Sequence, residues 1–380
     1  MVKKIFVIFF FIFPVFIFSQ ELPDNEIQVN FNSYFDNFRL NVIYPSVNIV
    51  KSIDNNTSIT GSYLVDAISS ASMKMIFKVD GITSATTNKL GGADNTPDEL
   101  RHQVNLGIVR NFSGVTVSAD GMYSTEHDYS SKTFATNISV PLAKKNTILK
   151  LGLSGNWDKI FPQSRFWTKN RNTLSLNLGL TQILSKSIVS QFDFSFINAD
   201  GYMSDGYQVV RIINGYTVNV FEPILPETRI RKAVGIRTNF GISKLSTILL
   251  GYRYYWDTWN IRSHTLDAEY KTHISDNINL IFGYRQYYQT KAYFFKSTYE
   301  QVEPLMGVDS KLNSGYTNDA SISLSYKGNK NNSFPILNNE KITLLASLGF
   351  FHRHTDSPDW VMRLSELYAY LISLGIKISI

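Results

Sequence analysis

The sequence predicts an all-β protein, a closed antiparallel β-barrel that crosses a membrane, and three observations support this fold class. Apolar and polar residues alternate in segments of about ten residues along most of the chain. The chain is 14 % aromatic, yet its mean hydropathy is only −0.10. Short and long connections separate the alternating segments. These features are typical of strands that meet lipid on one face and a wet lumen on the other.

The N-terminus has the order of a secretory signal peptide. Two lysines precede an apolar run over residues 5–18, and small and polar residues follow it. The run is short for a membrane span, although an N-terminal membrane anchor stays the alternative. We therefore assign residues 1–20 to the signal and residues 21–380 to one barrel domain. Export by this signal predicts a location in the bacterial outer membrane.

Composition excludes several classes of site. The chain contains no cysteine, so it has no disulfide, no thiolate metal site and no thioether-attached haem. The formal net charge of +6 is mild and does not indicate a nucleic-acid partner. No second long apolar run occurs, which excludes spans by helices and leaves strands as the elements that contact outer-membrane lipid.

The C-terminal segment LISLGIKISI shows the strand pattern most clearly. Five branched aliphatic residues fall on one face, at Ile372, Leu374, Ile376, Ile378 and Ile380. Ser, Gly and Lys residues fall on the other face. This alternation suits lipid opposite a lumen, and the edge of a soluble β-sandwich is the alternative.

Further alternating segments follow in chain order, and each is near the length that a tilted strand needs to cross a bilayer. They include RHQVNLGIVRNF, GVTVSADGMY, TFATNISVPL, TILKLGLSGNW, NTLSLNLGLTQIL, SIVSQFDFSFI, STILLGYRYYW, NINLIFGYRQYY, DASISLSYKG and KITLLASLGFF. With a weaker first strand at Glu26–Ser33, the count is about 16, and 14 is the alternative. The sheet should close, because a bilayer leaves an open edge unpaired.

Connection lengths predict the orientation of the barrel. Short links include KSIDNN, NFSG, AKKN, SKS, SKLS and SDN, and we expect these at the periplasmic end. Long links include Ser70–Leu100, Ile160–Arg171, Asn198–Thr228, Ala292–Thr317 and His352–Leu367, and we expect these outside. The prediction is that short and long links alternate from one end of the chain to the other.

Charged residues recur on the face opposite the apolar one. Arg253 and Asp257 lie on this face of one predicted strand, and Arg285 and Gln289 lie on it in another. Three further arginines begin the preceding strand, at Arg229, Arg231 and Arg237. They predict a lumenal cluster that holds or selects an anionic ligand, and arginine–aspartate pairs that brace the lumen are the alternative.

No catalytic or metal-binding arrangement is visible in the sequence. His352 and His354 would share one face of a strand, but no clear third ligand is close in sequence, so we expect no metal site. His127, Glu126 and Asp128 flank a loop and do not form a recognisable acid–base pair. The protein is therefore not expected to be an enzyme.

A small pattern occurs twice in the segment 65–100, as DAISSAS and DGITSAT. The second copy resembles the acceptor motif of FAD:protein FMN transferases, which attach FMN through its phosphate to the final Thr or Ser. The resemblance implies Thr86 as the acceptor, with recognition residues Asp80, Thr83, Ser84 and Ala85. The first copy matches less well and would place Ser72 as acceptor, behind Asp66, Ser69, Ser70 and Ala71.

The chain as a whole resembles a bacterial family known as domain of unknown function 3570. The residues that carry this resemblance include STEHDYSS, GYMSDGY, PETRIRKA, YRYYWDTWNIRSHT and YRQYYQTKAYFF. It implies an outer-membrane barrel, an FMN transferase as a partner, covalent FMN, and extracytoplasmic electron transfer to a redox partner in the envelope. A passive pore without cofactor and a structural partner of an envelope complex are the alternatives.

Overall fold

The structure is a computed structural model, and it describes residues 22–38, 40–70, 99–330, 335, 337–357 and 365–380. The predicted signal peptide, residues 1–20, lies outside the described residues. Within them, two 3₁₀ helices occur at Ala143–Lys145 and Ser310–Leu312. No helix in the described part of the chain is long and apolar enough to cross a membrane.

The described residues form nineteen strands. In chain order they are β1 Glu26–Asp36, β2 Leu40–Ile43, β3 Ser46–Asp54, β4 Thr57–Ser70, β5 Glu99–Phe112, β6 Val115–Thr125, β7 Tyr129–Leu142, β8 Thr147–Ile160, β9 Lys169–Ser185, β10 Ile188–Gly201, β11 Val210–Asn214, β12 Thr217–Phe221, β13 Thr228–Gly241, β14 Ser246–Asp257, β15 Arg262–Ser275, β16 Ile278–Gln289, β17 Gly315–Lys327, β18 Ile342–Thr355 and β19 Glu366–Ser379.

The main sheet closes into a barrel of sixteen wall strands. Each wall strand pairs antiparallel with its sequence neighbour, and β1 pairs with β19 to close the ring. β2 and β3 are two halves of one wall strand, interrupted at Pro45, whose missing N–H breaks the ladder. β11 and β12 form a separate hairpin between β10 and β13. The predicted closed barrel and its count of 16 are confirmed.

The two faces of each wall strand differ as the alternation predicts. On β19, Leu374 is 55 % exposed on the outer face, while its neighbour Ser373 points inward and donates to Asn32 Oδ1 over 2.6 Å. Lys377 Nζ lies 2.8 Å from the carboxylate of Glu26. Polar lumenal contacts therefore join the first and last strands, where no chain connection helps closure.

The connections sort into two ends, which we call the turn end and the loop end. The turn end carries both termini and the links 55–56, 113–114, 143–146, 186–187, 242–245, 276–277 and 328–341. The loop end carries the links 37–39, 71–98, 126–128, 161–168, 202–227, 258–261, 290–314 and 356–365. The predicted strict alternation of link length is wrong at four places, because 37–39, 126–128 and 258–261 are short and 328–341 is long.

Two of the unexpected short links, 37–39 and 258–261, share one structural feature. In each case the strand before the link ends with an aspartate. Asp36 Oδ1 accepts hydrogen bonds from the backbone N–H groups of Phe38 and Leu40, each over 2.9 Å. Asp257 Oδ1 accepts from Trp259 and Ile261 N–H in the same way, again over 2.9 Å. The carboxylate replaces the backbone partners that a longer loop would otherwise provide.

Candidate functional site in the barrel lumen

A cavity of about 1130 Å³ lies in the lumen between the wall strands. Among the described residues, six basic and three acidic side chains line it. The basic ones are Lys150, Arg237, Arg253, Arg285, Lys311 and Arg353, and the acidic ones are Asp193, Asp267 and Asp319. The cavity lining therefore carries an excess of positive charge.

Strand register places several of these charges in one row around the wall. Arg237 lies opposite Gly251, which lies opposite Asp267 on the next strand. Asp267 lies opposite Arg285, and Arg285 lies opposite Asp319. The row thus alternates in sign from β13 to β17.

Gly251 allows the charges on both sides of it to approach each other. A Cβ atom at this position would lie 3.3 Å from the Asp267 carboxylate and 3.7 Å from Arg237 Nε. A larger side chain would fill the space over β14 into which these two groups project. Arg285 Nε in turn donates to Asp267 Oδ1, so this carboxylate is already neutralised by a neighbouring strand.

Two cavity arginines differ from Arg285 in having no such partner. Within the described residues, no carboxylate oxygen lies within 4.0 Å of the guanidinium of Arg237 or Arg253. Asp193 lies across Gly235 of β13 from Arg253, so it acts on Arg253 electrostatically without forming an ion pair within 4.0 Å. These two guanidinium groups present charge to the cavity.

The four residues predicted as a lumenal cluster belong to different contacts. Arg253 faces the cavity, whereas Arg285 is paired with Asp267. Gln289 Nε2 donates to the backbone oxygens of Lys311 and Asn313, over 2.8 and 2.5 Å, and so anchors the loop 290–314.

Asp257 is the fourth predicted residue, and it has a bracing role at the loop end. Its Oδ2 accepts from Arg229 Nε and Nη2 over 2.8 and 2.5 Å and from the Tyr255 hydroxyl over 2.6 Å. Arg229 also lies 4.3 Å from the ring centroid of Trp259. Among the described residues, the lumen therefore contains arginines that are paired with aspartates and arginines that are not.

Two long loops pack together over the loop end, and we call residues 202–227 and 290–314 the loop-end cap. Its interior is apolar and includes Val210 and Met306, both 0 % exposed. Backbone hydrogen bonds between Ile224 and Met306, of 2.9 and 2.8 Å, join the two loops. Burial raises the pKa of Tyr299, whose hydroxyl donates to a backbone oxygen inside the cap. The cap also contributes Ser310, Lys311 and Asn313 to the lining of the cavity.

The residues of the first motif copy are partly described. Asp66 is 2 % exposed on β4, and its carboxylate pairs with Arg101 on β5. The backbones of Ser69 and Ser70 belong to β4 and pair with β2. The other predicted acceptor and recognition residues lie outside the described residues, namely Ala71, Ser72, Asp80, Thr83, Ser84, Ala85 and Thr86.

The two histidines of β18 have a carboxylate partner that is distant in sequence. His352 Nε2 and His354 Nδ1 each lie 2.7 Å from one oxygen of the Glu366 carboxylate on β19. His352 also stacks on Tyr368, with ring centroids 4.6 Å apart. In the part of the chain that the structure describes, no group of three or more His, Asp or Glu side chains is arranged to hold a metal ion.

Sequence comparison identifies the family. The model of the family described as "Protein of unknown function (DUF3570)" matches residues 18–323. The chain belongs to this family. No curated protein matches the chain by sequence.

Solved structures show the fold at very low sequence identity. A bacterial polysaccharide outer membrane secretin is 8 % identical, with a TM-score of 0.51 over 93 % of this chain and 98 % of that one. OccK1 (OpdK) of Pseudomonas aeruginosa is also 8 % identical, with a TM-score of 0.45 over 93 % and 98 % of the two chains. The siderophore receptor PirA of Acinetobacter baumannii has a TM-score of 0.44 at 8 % identity, and the match spans 88 % of this chain and 53 % of PirA. The fold is that of outer-membrane barrels, and the match covers about half the length of the receptor.

Proposed function

We propose that the protein is a passive pore of the outer membrane that favours small anionic solutes. The observation that carries this proposal is the lining of the lumenal cavity, where six basic side chains face three acidic ones. Fixed charge of one sign inside low-dielectric walls focuses the electrostatic field and raises the local concentration of the opposite ion.

The ion pairs show which of the charges that line the cavity are compensated by a neighbouring side chain. Asp267 is paired with Arg285, so its negative charge is compensated, while Arg237 and Arg253 form no ion pair within 4.0 Å among the described residues. Guanidinium groups stay charged at any physiological pH and bind carboxylates and phosphates in a bidentate manner. Because residues of the loop-end cap line part of the cavity, we expect the pore to favour solutes of small size.

The proposal is tested by the reversal potential of single channels under a salt gradient. We expect anion selectivity in the wild type. A unit charge about 8 Å from a passing ion in water is worth roughly 0.5 kcal/mol, with opposite signs for anion and cation. Each of Arg237→Gln and Arg253→Gln should therefore reduce the anion-to-cation permeability ratio by about two- to fivefold, with the smaller value at high salt.

A matched control removes charges from the outer wall at the turn end. Lys51 and Arg110 are exposed residues of β3 and β5 that do not line the cavity. Lys51→Gln with Arg110→Gln should leave the reversal potential unchanged. A wild-type barrel that conducts no ions, or that prefers cations, would refute the pore proposal.

A second candidate function is flavin-based electron transfer, and the observation that favours it is the DGITSAT motif. We propose Thr86 as the acceptor because Asp66, the first residue of the other copy, is committed to Arg101 inside the wall. In the attachment reaction the Thr86 oxygen would displace AMP from FAD and lose its proton, which forms one phosphoester and breaks the diphosphate. FMN would then supply the redox chemistry, with a partner in the envelope.

Attachment is expected before barrel insertion, since the link 71–98 joins β4 and β5 at the loop end and the transferase is expected in the periplasm. Intact mass and peptide mapping of protein purified from its own host test the proposal. An addition of FMN less one water should fall on the peptide with Thr86, be lost in Thr86→Ala and persist in Ser72→Ala. Unmodified Thr86 in protein from that host would rule out the flavin proposal, and it would leave the pore proposal untouched.

A further inference from the structure

The outer wall near the loop end carries a belt of aromatic and imidazole rings. Strand register places these rings side by side on β14 to β18, in the order Tyr254, His264, Tyr288, Tyr316 and His354. Tyr254 and His264 have ring centroids 5.2 Å apart, and Tyr316 and His354 have centroids 5.1 Å apart. Rings with an apolar body and a polar edge prefer the membrane–water boundary. This belt therefore marks the level of that boundary.

A row of different chemistry lies two residues closer to the loop end. Lys232 on β13 is opposite Trp256 on β14, and Trp256 is opposite Arg262 on β15. Neighbouring strands are about 4.8 Å apart, so the Cα atoms of Lys232 and Arg262 lie about 10 Å from each other, with the strand of Trp256 between them. The Trp256 ring stacks on Tyr254, with centroids 5.6 Å apart, and so lies on the membrane side of the two cations. This is the height at which lipid head groups begin.

The pattern occurs a second time on another part of the wall. Lys132 on β7 is opposite the outward-facing Trp157 on β8, which is 53 % exposed, and Lys159 follows two residues further towards the loop end. Both lysines are exposed. Two cations next to a tryptophan thus occur at the same end of two separate groups of strands, which points to one kind of ligand for both sites.

None of these four cations is neutralised by a neighbour. Among the described residues, no carboxylate oxygen lies within 4.0 Å of the charged groups of Lys132, Lys159, Lys232 or Arg262. Glu366, an outward carboxylate at this end, is occupied by the two histidines of β18. Within the described part of the chain, the outer surface here thus presents cations that form no ion pair.

We propose that these two sites each bind a phosphate of an anionic lipid in the leaflet at the loop end. The two cations of each site hold the phosphate, and the tryptophan, whose ring lies on the membrane side of the cations, packs against the upper acyl chain or sugar. Charge complementarity identifies the partner as a phosphorylated lipid, since uncharged head groups would leave both cations without a counter-ion. The inference is independent of the solute that passes through the lumen.

Native mass spectrometry of the purified barrel in detergent micelles tests the proposal, with diphosphoryl lipid A and its fully dephosphorylated form as the two probes. We expect the wild type to retain two molecules of the phosphorylated lipid and none of the dephosphorylated one. Lys232→Gln with Arg262→Gln should remove one bound lipid, as should Lys132→Gln with Lys159→Gln. The remaining affinity at each altered site should fall about thirtyfold, which corresponds to roughly 1 kcal/mol for each lost charge.

The control is Lys51→Gln with Arg110→Gln, which removes the same number of cations from the wall at the turn end and should retain both lipids. Circular dichroism and the heat-dependent gel mobility of each variant show that the barrel is folded. Equal binding of the dephosphorylated lipid, retention of both lipids by the double variants, or loss of a lipid in the control would each overturn the proposal.

Discussion

Substitution of Asp257 should reveal how strongly the loop end of the wall depends on one carboxylate. Its side chain is 0 % exposed, and its partner Arg229 is 13 % exposed. Asp257→Asn keeps an oxygen for the N–H groups of Trp259 and Ile261 but removes the charge that faces the guanidinium. Breaking such a buried pair costs about 3 kcal/mol at the low end of measured values.

Asp257→Ala should cost more, because it also leaves two backbone N–H groups without an acceptor. Each buried unsatisfied donor adds about 1 kcal/mol or more, so we expect a total loss of about 5 kcal/mol in the free energy of unfolding. The difference between the two variants, about 2 kcal/mol, isolates the contribution of the tight link 258–261.

Urea unfolding of the barrel in lipid vesicles, followed by tryptophan emission, provides the measurement. Asp276→Ala is the matched control, since Asp276 is exposed in the turn 276–277. If Asp257→Ala unfolds at the same urea concentration as the control, the bracing role of this carboxylate is refuted. Equal losses for Asn and Ala would instead refute the contribution of the two N–H groups.

Three further predictions concern single positions. Gly201 has φ 109°, and an added Cβ would overlap a backbone oxygen of β9. Gly201→Ala should therefore lower the free energy of unfolding by about 2 kcal/mol or more. Gly121 has open space at its Cβ position, so Gly121→Ala, the control, should lower it by less than about 1 kcal/mol. Burial raises the pKa of Asp128 above its ordinary value, so the contribution of Asp128 to stability falls as pH rises above the ordinary aspartate pKa of about 4. Asp128→Asn should make the urea midpoint less dependent on pH in this direction, and an unchanged pH dependence would contradict this. Lys377→Ala removes the ion pair with Glu26 between β19 and β1, where the barrel closes. Because the lysine side chain is 32 % exposed, we expect the free energy of unfolding to fall by only about 0.5 kcal/mol. A fall of more than about 2 kcal/mol would contradict this estimate.

The site was only partly predictable, because its charges find their partners on other strands. The alternation in the sequence correctly assigns Arg253 and Arg285 to one face, but it does not reveal that Asp267 neutralises the second and not the first. Glu366 was missed as a partner of the β18 histidines because it lies 14 and 12 residues after them in the sequence, and only the pairing of β18 with β19 brings it next to them. The aspartate that ends β1 and the one that ends β14 did offer a usable signal, since each stands four residues before an apolar residue that its carboxylate caps.

By itself, the sequence predicted the wall strands, their two faces and a count of about 16, although it left 14 open and did not predict the hairpin of β11 and β12. This follows because the pleat alternates side chains with period two, and lipid on one side and water on the other select residue types at the same period. Tertiary structure decided the register, and with it the row from Arg237 to Asp319 in the lumen and the row from Lys232 to Arg262 on the outer wall. Register depends on backbone pairing between strands, and the residue pattern within one strand does not identify the residue that will lie opposite on the next strand.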